Sequence, residues 1–104
     1  MNNLVTEELI QANEYQKIGD YKLSAKIYQQ FFNDNPDHPM RFKALFEVAD
    51  NLYHDKKYDE AKKQYQFFLS YCADQQQITS EEKGWVDAYT KLAYSRLENI
   101  DNYR

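Results

Sequence analysis

The segment Tyr21–Phe32, YKLSAKIYQQFF, returns 37 residues later as Tyr58–Leu69, YDEAKKQYQFFL. The same 37-residue spacing relates Ala12 to Ala49, Ser24 to Ala61, Tyr28 to Tyr65 and Phe31 to Phe68. The matched positions are small or aromatic, the residue types that decide how closely helices pack. A helix pair cannot bury its apolar face alone, so a chain built this way must stack its units to make a core. The duplication therefore predicts one all-α domain over residues 1–104, an antiparallel helix-pair solenoid rather than a sheet.

Apolar spacing places five helices at about 4–18, 21–34, 39–55, 58–73 and 80–98. Leu4, Val5, Leu9, Ala12, Tyr15 and Ile18 form the apolar set of the first. Gly19-Asp20 ends it, because glycine takes the left-handed conformation a helix end requires. Asn33 to Pro39 is a stop and restart, with Pro39 expected in the first turn of the third helix. That helix carries a broad stripe from Phe42 to Tyr53, wide enough to need two neighbours. Thr79 and Glu82 have the spacing of a capping box for the fifth helix, and Glu98–Arg104 is expected to fray. With two Gly and two Pro in 104 residues, turn signals are too few for a many-stranded protein.

Several function classes lose support on composition. The formal net charge is −4 with no run of five or more like charges, which argues against non-specific nucleic-acid binding. No run of 18 apolar residues suits a membrane span. The start of the chain lacks the basic and apolar regions of a secretory signal. Cys72 is the single cysteine, so it forms no intramolecular disulfide, and a cytoplasmic location is expected. His54 and Asp55 are adjacent on a helix and diverge around its axis, which disqualifies them as a catalytic dyad. No enzyme, cofactor or metal site is expected.

The pattern resembles the tetratricopeptide repeat, as two repeats plus a C-terminal capping helix. Ala12, Tyr15, Gly19, Tyr21, Ser24, Tyr28, Phe31 and Pro36 carry the first unit, over about 5–36. Leu45, Val48, Ala49, Leu52, Tyr58, Ala61, Tyr65 and Phe68 carry the second, over about 39–75. The cap spans about 80–98, matching through Tyr89, Leu92 and Ala93. Lys56 stands at the turn glycine, Ala73 at the closing proline and Arg96 at a common aromatic position.

The resemblance implies an adaptor that takes a peptide or protein segment in a concave groove lined by the first helix of each pair. The groove residues it implies are Asn13, Lys17, Lys43, Phe46, Asp50, Tyr53, His54 and Tyr94. Phe46 and Tyr53 have a second reading, as residues packed against the last helix. Relatives that clamp a chaperone's terminal carboxylate use a set of donors that only Asn13 and Lys91 keep in part. Leu9, Glu47 and Asp87 occupy the other places, so that ligand is not implied. Two alternatives stand beside the adaptor: a self-associating scaffold, with a homodimer as partner, and the interaction region of a larger regulator.

Overall fold

The computed structural model describes residues 6–102, and these form five helices and no strand. They are α1 (Glu7–Lys17), α2 (Tyr21–Asp34), α3 (Arg41–His54), α4 (Tyr58–Asp74) and α5 (Ser80–Asn102). The expected start of the first helix at Leu4 and Val5 lies outside the described residues. The fold measures 45 × 30 × 18 Å, so its thin dimension holds two layers of helices about 10 Å wide.

The first two hairpins repeat in backbone detail. In the α1–α2 turn, Gly19 N–H bonds the carbonyl of Gln16 and Asp20 N–H that of Tyr15. In the α3–α4 turn, Lys56 N–H bonds Tyr53 and Lys57 N–H bonds Leu52, each residue 37 positions on from its counterpart. This paired closure needs a left-handed residue after the helix. Gly19 takes it at φ 85° and Lys56 at φ 63°. The substitution at the turn glycine has been absorbed without changing the turn.

Burial follows the same register. Ala12 and Ala49, Ser24 and Ala61, and Tyr28 and Tyr65 are all wholly buried. Small residues let each pair of helices approach, and the tyrosine fills the space beside them. Ser24 carries the one hydroxyl among those small positions, and it is satisfied: it donates to the Ala12 carbonyl and accepts from Asn51 Nδ2.

Helix α3 is central, packed against α2, α4 and α5. Its Ala44 and Val48 join Leu9, Ala12, Tyr28 and Phe31 in one core cluster. Its Phe42, Leu45, Phe46 and Ala49 join Ala61, Tyr65, Phe68, Ala93 and Ile100 in the other. Contacts with more than two helices account for the breadth of its apolar stripe.

Three expectations are corrected. Pro39 lies in the turn before α3, not within its first turn; Met40 N–H is held by His38 Nδ1 instead. Ile18 is the C-cap of α1 and 75% exposed, so it is no part of the apolar face. Residues 98–102 do not fray, since α5 runs to Asn102 with Ile100 wholly buried and Asp101 bridging Lys62 at 3.3 Å; Tyr103 and Arg104 lie outside the described residues. The spacing Ala93, Leu97, Ile100 continues the buried side of α5 by one more turn.

Candidate functional site

The first helices of the units do form one face. Gln16 on α1 donates to Glu47 and Asn51 on α3, and Phe46 on α3 stacks on Tyr89 of α5 with ring centroids 5.0 Å apart. The eight candidate residues do not share it equally.

Asn13, Lys17 and Lys43 occupy the α1–α3 part. Asn13 is half-buried and Lys17 exposed, with only a long 3.8 Å approach to Glu14. Lys43 is half-buried, bonded to Glu47 at 2.8 Å, and its ammonium lies 5.9 Å from the centre of the Tyr28 ring. Burial would lower the pKa of Lys43, but the Glu47 carboxylate beside it outweighs that and holds the ammonium above its ordinary value.

Phe46, Asp50 and Tyr53 are taken by α5. Phe46 is buried among Tyr65, Phe68 and Tyr89, so the packed reading holds and it offers no exposed ring to a ligand. Asp50 is buried too, and is not a groove carboxylate. It accepts from Tyr65 Oη at 2.5 Å and from Arg96 Nε at 2.9 Å, while His54 Nε2 lies 3.3 Å away. Tyr53 is half-buried beneath the Arg96 guanidinium, 5.0 Å from its ring centre, and accepts from Asn99 at 3.4 Å. His54 stays exposed at the edge, its ring 5.7 Å from that of Tyr21.

Tyr94 belongs to a different surface. It is 63% exposed and lines a groove of about 300 Å³ between α4 and α5, away from α3. A second recess, of about 390 Å³, lies between α1 and α2, floored by Leu23 and Ile27 and rimmed by Glu8 and Gln11. Neither recess lies on the α1–α3 face.

Two polar constructions escaped the sequence reading. The Asp50 cluster draws on three helices, α3, α4 and α5. Only its His54 arm, four residues along the same helix, had a local signal. The other is the buried pair of Arg41 with Glu82 at 2.6 Å, reinforced by Tyr71, whose hydroxyl accepts from Arg41 Nε. The expected capping box is also made, with Thr79 N–H on Glu82 Oε1 and Glu82 N–H on Thr79 Oγ1. Burial would raise the Glu82 carboxyl, but the Thr79 N–H and the Arg41 guanidinium prevail and hold it below its ordinary value.

Cys72 is half-buried, and burial pushes its thiol up to about 12, which keeps it protonated at neutral pH. Among the described residues no three His, Cys, Asp or Glu side chains gather into a metal-binding group, and no helix is long and apolar enough to cross a membrane. Comparison of the chain with protein-family models, with curated proteins and with solved structures returned no match.

Proposed function

We propose that the chain is a non-catalytic interaction module of tetratricopeptide-like build that binds a protein or peptide segment on its α1–α3 face. One observation supports this above the others. The two helical hairpins share turn geometry and buried positions at a fixed 37-residue offset, while their first helices leave Asn13, Lys17, Lys43 and His54 uncommitted to the hydrophobic core. In the tetratricopeptide family that the chain resembles, the first helix of each pair lines the concave groove, and stacked repeats create such extended binding surfaces. Lys17, Lys43 and Asn13 together favour a segment that offers hydrogen-bond acceptors. A cytoplasmic location goes with the reading, supported by the single cysteine.

The test is selection of peptides from a displayed library by the intact chain. Ligands for the face lose binding to an Asn13→Arg, Lys17→Glu double variant and keep it with Tyr94→Ala, whose site lies elsewhere. Both positions in the double variant reach solvent, so the fold survives the change. Selected peptides that bind the double variant as well as the unaltered chain overturn the proposal.

A further inference from the structure

One position lining the α4–α5 groove has a counterpart that is packed within the fold. Phe32 on α2 packs edge-on against Tyr71 of α4, ring centroids 5.1 Å apart. Its partner 37 residues on is Leu69, which lines the open groove with Cys72 and Ala73 of α4 and Val86, Thr90 and Tyr94 of α5. The position that meets a ring of the next helix pair in the first unit thus lines a groove in the second, with the most exposed large aromatic ring of α5 at its edge.

The charges beside this groove say what fits it. Lys83, Asp87, Thr90, Tyr94 and Glu98 follow at steps of four, three, four and four, which keeps them on one side of α5. Read backwards, the order is its own complement. An antiparallel copy that sets Lys83 against Glu98 also sets Asp87 against Tyr94, a carboxylate against a hydroxyl donor. We propose that this face is a two-fold interface with a second copy of the chain, the α5 helices antiparallel about Thr90 and each Tyr94 ring seated in the other's groove.

A two-fold axis makes every such contact twice. The interface would hold two Lys83–Glu98 pairs, two Tyr94–Asp87 hydrogen bonds and two buried rings. Little opposes it in the free chain. Lys83 meets Asp87 at 3.5 Å with both side chains more than 60% exposed, a solvent-screened surface pair that is readily released. The interface uses none of the α1–α3 residues proposed to bind a peptide, so either proposal can fail without the other.

Sedimentation equilibrium at low salt tests it. The unaltered chain shows a concentration-dependent dimer, and Tyr94→Ala abolishes it. Lys83→Glu and Glu98→Lys each bring like charges together at two places and weaken the dimer about tenfold or more. The decisive arm is rescue: the two single variants mixed together associate, because every facing pair is again opposite in sign, and the double variant dimerises with itself. A chain that stays monomeric at all concentrations overturns the proposal. So does a dimer indifferent to the single charge reversals, or a mixture that fails to associate.

Discussion

The two hairpins have the same backbone and opposite polar seams. In the second, the buried Tyr65 hydroxyl donates to Asp50, which Arg96 neutralises from α5. In the first, the same place is held by Tyr28, equally buried, and its hydroxyl has no hydrogen-bond partner among the described residues. The counterpart of Asp50 there is Asn13, which does not take up the bond. Small residues and tyrosines set the repeat, whereas the seam depends on what lies outside it. Asp50 can be buried as a carboxylate because α5 brings a guanidinium to it. In the first unit the cation near Tyr28, Lys43 of α3, is bonded to Glu47 instead, and an unpaired charge at Asn13 would be costly.

The largest effect tests what the hairpins share. Ala12→Asp and Ala61→Asp each place a carboxylate in a wholly buried small position, a cost of several kcal/mol set against total stabilities of about 5–15 kcal/mol. Both variants should unfold at ambient temperature by circular dichroism. If one melts normally, the small-residue seam is not the common element of the two units.

The seams themselves separate at the next level. Tyr65→Phe removes a hydrogen bond to a charged group and should cost about 1.5–3 kcal/mol. Tyr28→Phe removes a desolvated hydroxyl with nothing bound to it and should raise stability by about 1 kcal/mol. Burial pushes the Tyr28 phenol up to about 12, so it is neutral over the whole range in which the two can be compared. Urea midpoints that move in opposite directions establish the contrast, and equal losses would mean that both hydroxyls are bonded.

The clamp between α3 and α5 has a pH signature. The folded Glu82 carboxyl lies below its ordinary value, so its stabilisation is fully present above the unfolded pKa of about 4.3 and is lost as pH falls through the folded value. Arg41 stays charged throughout. Glu82→Gln should therefore be less stable than the unaltered chain at neutral pH, with the difference shrinking as pH drops toward 3 or so. Parallel denaturant titrations at the two pH values measure it; a gap that does not narrow removes Glu82 from the acid response.

What was legible in the sequence divides along the same line. The helix pairs, their turns and the buried Ala, Ser and Tyr positions repeat locally, so one chain displays each of them twice. The placement of α5 does not repeat. Its buried Ala93 and Ile100 lie outside the 37-residue register, and the polar connection before Ser80 does not specify how the helix will be rotated. That rotation alone decides that Arg96 finds Asp50 across 46 residues of chain, that Tyr89 seals Phe46, and that Tyr94 turns toward α4. An aromatic on a helix reads the same in sequence whether it closes a core or waits in a groove. Of the groove residues taken from the resemblance, those on α1, Asn13 and Lys17, are left uncovered by α5.

The smallest effect lies in the two turns. Gly19 meets the left-handed requirement without strain, and a Cβ placed there would touch nothing within 4 Å. Gly19→Ala thus pays only the conformational term, about 1 kcal/mol. Lys56 already carries that strain at φ 63°, so Lys56→Gly should return part of it, from a few tenths to about 1 kcal/mol. Glycine also loosens the unfolded chain, which is why the gain is smaller than the loss. Denaturant midpoints of the two single variants and of the combined exchange give the balance. If the turns are equivalent, the exchange leaves stability nearly unchanged. A Lys56→Gly variant that is less stable than the parent would show that the lysine stem itself supports the α3–α4 turn, and that the equivalence stops at the backbone.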